Sequence, residues 1–257
     1  MDQHIKPLDQ HFQLPHVHKI DRARPLAWLR MGWQDLRGNP VASMTYGVLF
    51  ALMGGLILSL ADDMPYLFTA AVSGFFLIGP IAAAGLYEIA RREEQGEVIG
   101  FAESLRGLRG HSDQLLFFGV FLAVVLLSWE RLSAILFALF GQGETAMISS
   151  FFRDIFLSGA HLDFVMAYVV FGGVLAAVIF AMSAIAIPML MHRDTDVVTA
   201  MMTSARTVAT NPSAMFLWAA LIVGLIAVGF ATLMIGMVVV LPVLGYASWH
   251  AYRDLVE

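Results

Sequence analysis

The chain has 257 residues, of which 59% are hydrophobic and 14% are charged, and its mean hydropathy is +0.75. Soluble domains are roughly 45–50% apolar, so this composition predicts an integral membrane protein with several spans. The net charge of −5, with scattered basic residues, excludes a nucleic-acid-binding stripe. The absence of cysteine excludes disulfides, thiolate metal sites and a cysteine nucleophile.

Residues 1–24 are polar and predict a cytoplasmic tail, because they contain no apolar core of the length that a signal peptide requires. The tail carries His4, His11, His16 and His18. His16 and His18 could bind a transition metal together with His11. Without acidic or thiolate support such a site would be weak, so we predict a plain polar tail with no metal and no cofactor. Residues 25–257 are predicted to form a single transmembrane domain.

Six apolar stretches in this domain are long enough to cross a bilayer at about 20 residues per helix. They are Val41–Ala61, Leu67–Ala90, Leu115–Phe140, Phe164–Met191, Ala214–Met234 and Met237–Tyr252. The last two are nearly continuous. A single helix over both would measure about 58 Å, almost twice the hydrocarbon thickness, so we predict a tight turn near Gly229–Gly236.

Basic residues predict the orientation of these spans. Of the fifteen lysines and arginines, only Arg131 and Arg153 fall near connections on one side of the predicted spans. The others precede span one, follow span six, or lie between spans two and three and between spans four and five. The positive-inside rule therefore places both termini in the cytoplasm.

Three fifteen-residue segments precede the odd-numbered spans and predict a repeated unit: Pro25–Asn39, Val98–Ser112 and Val197–Asn211. In the first, four apolar residues recur at helical spacing opposite Arg30 and Arg37, as in an amphipathic helix at the membrane interface. These four are Leu26, Leu29, Trp33 and Leu36.

The predicted fold is all-α. It is a polytopic bundle of six transmembrane helices in three hairpins, with cytoplasmic amphipathic helices before spans 1, 3 and 5. The repeat units are about 25–97, 98–196 and 197–257. Proline occurs in each even span, at Pro80, Pro188 and Pro242. These prolines could serve packing alone, or their kinks could converge on a shared cavity.

Two Asn-Pro pairs stand where a surface segment meets a span, Asn39-Pro40 and Asn211-Pro212. Proline suits the first turn of a helix, and the preceding asparagine can cap the free N–H groups of that helix. We therefore predict that both pairs form elbows between a surface helix and a span.

Charged residues provide two further candidates. Glu130 and Arg131 fall near the outer end of span three, where an ionisable pair indicates a functional site by default. The alternative is that the span ends near Trp129 and that Leu132–Phe140 lies along the outer surface. On the other side, Glu88 precedes Arg91 and Arg92 by three and four residues, the spacing of helical ion pairs. Such pairs could form a collar between repeats or simply be solvated.

Several phrases of the chain resemble a bacterial family of integral membrane proteins called domain of unknown function 2189. They include "AWLRMGWQDLRGNPVASMTYGVLFALMGG", "FFLIGPIAAAGLYEIARREEQGE", "SWERLSAILFALF", "HRDTDVVTAMMTSARTVATNP" and "VVVLPVLGYASWHAYRDL". The resemblance runs from about Arg24 to Val256 and implies a bacterial inner-membrane protein. Some members are described as cytochrome c oxidase subunits. No span here carries a histidine near its middle, which excludes the haem-binding core of an oxidase and leaves an accessory role.

These observations predict a non-enzymatic accessory or scaffold protein, because no catalytic motif is present. Its partners would be membrane lipids and another membrane protein or a second copy of the chain. The alternative is a small transporter, channel or lipid-handling protein with a cavity between the three hairpins.

Overall fold

A computed structural model describes residues 14–63, 83–140 and 162–256 of the chain. In these ranges the chain is helical, with short turns and one isolated β-bridge between Val17 and Val256. We label the helices α1 Arg24–Gly38, α2 Pro40–Asp63, α3 83–94 (its described part), α4 Phe101–Gly107, α5 Ser112–Phe140, α6 Leu162–Ser183, α7 Ala186–His192, α8 Val197–Thr210, α9 Pro212–Ala231 and α10 Met237–Leu255. A 3₁₀ turn, Leu108–His111, joins α4 to α5.

Four stretches of the described chain are long and apolar enough to cross a membrane. They are Pro40–Ile57, Phe101–Leu136, Asp163–His192 and Pro212–Ala231. They correspond to predicted spans one, three, four and five. Most of predicted span two, including Pro80, lies outside the described residues. α10 covers predicted span six, but it carries several polar residues near its end and is not among these four stretches. The arrangement of six spans in three hairpins stays a prediction.

The tight turn expected between the last two helices is present. α9 ends at Ala231, and residues 232–236 form the turn, with positive φ at Leu233 (51°) and Met234 (70°). The hydroxyl of Thr232 accepts a hydrogen bond from the Gly236 N–H at 2.9 Å, which closes the turn. The long apolar run is therefore two helices rather than one.

Two prolines of the even-numbered spans have different effects on their helices. Proline lacks the N–H that would bond to the carbonyl four residues earlier. Accordingly, the helix is interrupted between α6 and α7, just before Pro188. At this interruption the Ile185 N–H donates a hydrogen bond to the Ser204 hydroxyl at 3.3 Å. Pro242 lies inside α10, which continues past it.

The core is concentrated where α1, α2, α3, α7, α8, α9 and α10 meet. Its largest fully buried side chains include Trp28, Trp218, Trp249, Tyr246 and Tyr252. Glycines allow the backbones of the first two helices to approach α10. A β-carbon at Gly32 of α1 would lie 2.5 Å from the Val243 oxygen, and one at Gly47 of α2 would lie 2.7 Å from the Val238 carbonyl carbon. α1 and α2 therefore pack directly on the last helix of the chain.

α1 is a helix where the amphipathic pattern predicted one, but the face that it packs against the protein differs from the predicted apolar stripe. Its buried residues are Pro25, Trp28, Gly32 and Leu36. Of the predicted stripe only Leu36 is among them, whereas Leu26 is 53% and Trp33 is 39% exposed. Close packing on α10 selects the small Gly32 and the hydrogen-bonding Trp28 rather than the most apolar stripe.

α8, the third of the predicted surface helices, is packed inside the protein along one side. Its buried residues are Thr199, Ala200, Met201, Thr203, Ser204 and Thr207. The hydroxyls of Thr203 and Thr207 donate to the carbonyls four residues earlier, at 2.8 and 2.9 Å, so these polar residues can pack without unpaired donors.

Candidate functional site

Glu88 on α3 is the most deeply buried carboxylate among the described residues, with a side chain 1% exposed. Arg91 donates to both of its oxygens, at 2.7 and 2.8 Å, and Arg92 donates to Oε1 at 3.0 Å. The spacing of three and four residues brings these groups onto one side of the helix. Arg92 also reaches Glu97 at 2.6 Å, and Glu88 and Arg92 line an open surface recess of about 680 Å³ between α3 and α4.

A second set of polar contacts joins the ends of α3, α7 and α10. Glu94 accepts a hydrogen bond from the Trp249 indole at 2.9 Å and an ion pair from Arg253 at 3.3 Å. Arg193, which follows α7, donates to the Tyr252 hydroxyl at 3.1 Å, and the Nδ1 atom of His192 lies 2.8 Å from that hydroxyl. These contacts tie the three helix ends together.

The third set joins α1 to α10. Asp254 accepts from the Arg24 Nε and from the Trp28 indole, both at 2.6 Å. Burial acts to raise the pKa of Asp254, but the hydrogen bonds from Arg24 and Trp28 and the charge of Arg24 outweigh it and hold the pKa below its ordinary value. Asp254 is therefore a paired carboxylate at neutral pH.

A fourth contact lies one turn away from the third. The Nε2 atom of His250 is 2.7 Å from Asp35 Oδ2 of α1, and both side chains are 19% exposed. Glu93 of α3 packs nearby, against Gly38, with its Oε2 atom buried and without a hydrogen-bond partner. Burial and the negative charge of Asp35 raise the pKa of Glu93, while His250 acts in the opposite direction.

We call these four sets of contacts together the helix-end cluster. It consists of Arg24, Trp28, Asp35, Glu88, Arg91, Arg92, Glu93, Glu94, Glu97, His192, Arg193, Trp249, His250, Tyr252, Arg253 and Asp254. Its carboxylates are mostly matched by arginine, histidine or tryptophan donors. Chemically, the arrangement neutralises charge and joins helices at one end of the bundle.

Asn39 and Asn211 do not act through their side chains as the predicted helix caps. Asn211 accepts from the Ile20 N–H and donates to the His18 carbonyl, both at 2.9 Å, and makes no side-chain cap on α9. Asn39 donates to the Ile99 carbonyl at 2.8 Å. Each amide thus holds a non-helical segment that is distant in sequence. Pro40 and Pro212 are the first residues of α2 and α9, as predicted for the two elbows.

Two prolines of the even-numbered spans lie among the described residues, and both are packed inside the protein. Pro188 and Pro242 are both buried, each beside buried apolar neighbours of its own helix. Pro80 lies outside the described residues. The predicted convergence of all three on a shared cavity stays a prediction.

Glu130 and Arg131 lie on α5, which continues past Trp129 without a break to Phe140. Both side chains are exposed, and Trp129 stacks edge-on against Tyr168 of α6 at 4.9 Å between ring centroids. Residues 132–140 therefore extend the helix instead of forming a separate segment. Neither charged residue belongs to the helix-end cluster.

Of the four tail histidines, the described residues include His16 and His18, whose rings meet edge-on at 5.0 Å. His4 and His11 lie outside the described residues. In the ranges that the structure covers, no three histidine, aspartate or glutamate side chains are arranged to hold a metal ion. Residues 17 and 18 pair with residues 255 and 256 of the chain, with a hydrogen bond from the His18 N–H to the Leu255 carbonyl at 3.0 Å.

Several residues of the cluster were not candidates from the sequence. No sequence motif includes Trp28, Asp35 or Glu93. Their partners are distant in sequence, or are determined by which side of a helix faces the protein. Two pairs of buried hydroxyls were also not candidates from the sequence. Ser43 meets Tyr246 at 2.6 Å, and Tyr46 meets Ser104 at 2.7 Å. The available signal was the run of Trp, His, Tyr, Arg and Asp at the end of α10, which is unusually polar for a spanning helix.

Comparison with known families gives one match. The model of the family described as predicted integral membrane protein (DUF2189) matches residues 67–192. Residues 67–192 are a DUF2189 segment. No curated protein and no solved structure matches the chain.

The DUF2189 match is narrower than the resemblance suggested by the sequence phrases. It begins in predicted span two and ends with α7, so it includes Glu88, Glu94 and His192 of the helix-end cluster. α1 and α10, which supply Trp28, Asp35, His250 and the other closing contacts, lie outside the matched segment. The description of DUF2189 as integral membrane proteins agrees with the four apolar stretches found in the structure.

Proposed function

We propose that this protein is a non-enzymatic accessory or scaffold protein that packs against another protein in the bacterial inner membrane. The observation that carries the proposal is the unequal burial of the apolar helices. In the stretch Pro40–Ile57, 39% of residues are buried within the chain, against 17% and 11% in the most apolar 18-residue windows of Phe101–Leu136 and Asp163–His192. α5 and α6 therefore leave most of their apolar surface for lipid or for another spanning helix.

α6 has a surface suited to close helix packing. Met166, Val170, Gly173 and Ala177 follow one another at the spacing of a single helix face, and all four are exposed. A β-carbon at Gly173 would meet no atom within 4 Å. Small residues four positions apart allow two helix backbones to approach closely in a membrane. Gly173 and Ala177 provide this spacing on a surface that the chain itself leaves open.

The proposed orientation has both termini in the cytoplasm. It is supported by the distribution of basic residues and by the pairing of residues 17 and 18 with residues 255 and 256, which brings the two ends to the same side. The helix-end cluster would then face the cytoplasm. The cluster would hold the helix ends together, while α5 and α6 contact the partner.

The absence of cysteine makes the proposed α6 surface directly testable. Ala177→Cys introduces a single thiol on this surface, and Val223→Cys introduces a matched one on the exposed side of α9 (68% exposed). Apolar bifunctional crosslinking in native membranes, followed by gentle-detergent purification and mass spectrometry, identifies attached chains. We expect Ala177→Cys to form one defined adduct and Val223→Cys to form none.

Three results would contradict the scaffold proposal. These are purification of the wild-type protein alone and as a monomer, absence of an adduct at Ala177→Cys, or the same mixture of adducts at both positions. A partner from the respiratory oxidases would extend the association that the family resemblance implies. An adduct with a second copy of the chain would assign the surface to homo-oligomerisation.

The alternative function is a small transporter, channel or lipid-handling protein. The break between α6 and α7 favours it, because broken helices often form binding sites in transporters. The burial of Pro188 and Pro242 weighs against an aqueous path at these positions. Dye-filled proteoliposomes test the channel form, which predicts leakage that increases with the amount of protein. Unchanged leakage would remove it.

A further inference from the structure

The outward face of α1 combines apolar and basic side chains. Leu26, Arg30, Trp33 and Arg37 are spaced by four, three and four residues, and all are exposed. At 100° per residue they share one side of the helix, well separated from the side that packs on α10. The prediction that Arg30 and Arg37 lie opposite the apolar stripe is therefore wrong, because both arginines lie beside Leu26 and Trp33. Leu26 is 53% and Trp33 is 39% exposed, so the described chain leaves the apolar part of this face uncovered.

The arginines of α1 differ in their partners. Arg24, near the packed side, forms the ion pair with Asp254. Arg30 and Arg37 have no carboxylate partner in the described part of the chain, and the Arg37 guanidinium lies over the Trp33 ring at 5.0 Å from its centroid. The outward face therefore carries two uncompensated positive charges next to two exposed apolar side chains.

The chain places this face at the membrane boundary. Only Asn39 separates α1 from α2, and α2 starts one of the four apolar stretches that can cross a membrane. Tryptophan is enriched at the level of lipid head groups, and basic residues beside it attract anionic lipids. A water-soluble protein partner would also match the charge, but it would leave the proximity to the bilayer unused.

We propose that this face, made of Leu26, Arg30, Trp33 and Arg37, binds anionic phospholipids. Leu26 and the Trp33 ring lie at the level of the upper acyl chains, and Arg30 and Arg37 contact phosphate groups. The inference does not depend on the proposed scaffold function, since it concerns a different helix and a different ligand.

The test uses fluorescence of the full chain in vesicles of phosphatidylglycerol and phosphatidylcholine in equal amounts. One lipid at a time carries bromine on its acyl chains and quenches nearby tryptophan. Subtracting the signal of Trp33→Phe isolates Trp33. We expect brominated phosphatidylglycerol to quench Trp33 at least about five-fold more strongly than brominated phosphatidylcholine, because a single arginine near the surface favours anionic lipid by about five-fold and this face carries two.

The variant Arg30→Gln/Arg37→Gln should quench equally with both lipids, while the matched Arg131→Gln should keep the wild-type preference. Both changes affect exposed side chains, and the wild-type comparison does not depend on either variant folding. Equal quenching of wild-type Trp33 by the two lipids would overturn the selection of anionic lipid. Quenching of Trp33 by aqueous iodide but by neither lipid would overturn the membrane contact itself.

Discussion

Trp28 and Asp254 are 226 positions apart in sequence, yet the Trp28 indole donates to the Asp254 carboxylate over 2.6 Å. The same indole ring meets Trp218 of α9 edge-on, at 5.6 Å and 89°. The first helix of the domain is thereby joined to both helices of the last hairpin. Because Trp218 lies early in α9 and Asp254 late in α10, these two helices run antiparallel.

Replacement of Asp254 tests whether its contacts stabilise the packing of α1 on α10. Asp254→Asn removes the charge that Arg24 and Trp28 bind, and we expect a loss of about 1–3 kcal/mol in the free energy of unfolding at pH 7. The pKa of Asp254 is lowered in the folded protein, so its contribution is present above the ordinary aspartate pKa of about 3.9 and is lost as the pH falls through the lowered value. Thermal unfolding in detergent from pH 7 to pH 3 measures both effects.

The matched control for that experiment is Asp194→Asn, because Asp194 is exposed and has no hydrogen bond or ion pair within the described residues. It should change the unfolding temperature little at any of these pH values. If the two variants had the same unfolding temperatures at each pH, the Asp254 contacts would not stabilise the packing of α1 on α10.

Glu93→Gln should act in the opposite direction. Burial and Asp35 raise the pKa of Glu93, so the folded protein favours its protonated form. The stability that this group contributes is complete below the ordinary glutamate pKa and is lost as the pH rises through the raised value. A neutral glutamine should therefore stabilise the protein by about 1 kcal/mol at pH 7.5 and have little effect near pH 4. A destabilising effect at pH 7.5, measured by thermal unfolding, would contradict the unpaired state of Glu93 Oε2.

Two glycines of α2 provide an internally matched pair for the packing on α10. At Gly47 a β-carbon would collide with the backbone of Val238, whose carbonyl lacks its usual helical donor because Pro242 has no N–H. At Gly55 the same β-carbon would meet no atom within 4 Å. We expect Gly47→Ala to lower the free energy of unfolding by about 1–3 kcal/mol, and Gly55→Ala to be neutral or stabilising by up to about 1 kcal/mol. Chemical unfolding of both variants in mixed micelles provides the comparison, and similar losses would refute the close approach.

Asn211→Ala should release the segment before α1 without melting the helices. The Asn211 amide supplies one hydrogen bond to Ile20 and one to His18. Limited proteolysis should therefore cut near Lys19 and Arg22 several-fold faster in Asn211→Ala than in the wild type. Asn39→Ala is the control, since its amide holds Ile99 instead. Unchanged cleavage in Asn211→Ala would mean that the pairing with residues 255 and 256 suffices to hold this segment.

The sequence was informative about the helices that are long and apolar enough to cross a membrane. α2, α5, α6 and α9 follow from uninterrupted apolar runs, and the turn after Ala231 follows from length alone, because one helix would be too long. The break before Pro188 is likewise a local property of proline. None of these features needs knowledge of a partner helix.

The helix-end cluster could not be predicted in the same way. Apolar periodicity in a membrane protein does not distinguish a lipid-facing side from a packed one, so the stripe through Leu26 and Trp33 gave no sign that Trp28 and Gly32 would be buried. The pairing of His250 with Asp35 spans 215 positions, and no local spacing encodes it. The asparagine side chains had local partners available as caps, but tertiary contacts with Ile99 and His18 replaced them.

The packing of α1 on α10 also sets an order for biogenesis. During synthesis α1 emerges first, but Gly32 meets Val243 and Trp28 meets Asp254 only after α10 has been made. Until then the packed side of α1 is exposed, and contacts this distant in sequence form late in folding. In chains that stop after α9, the side of the first helix that packs on α10 is therefore uncovered, so the fold is completed only when the last nineteen-residue helix has been made.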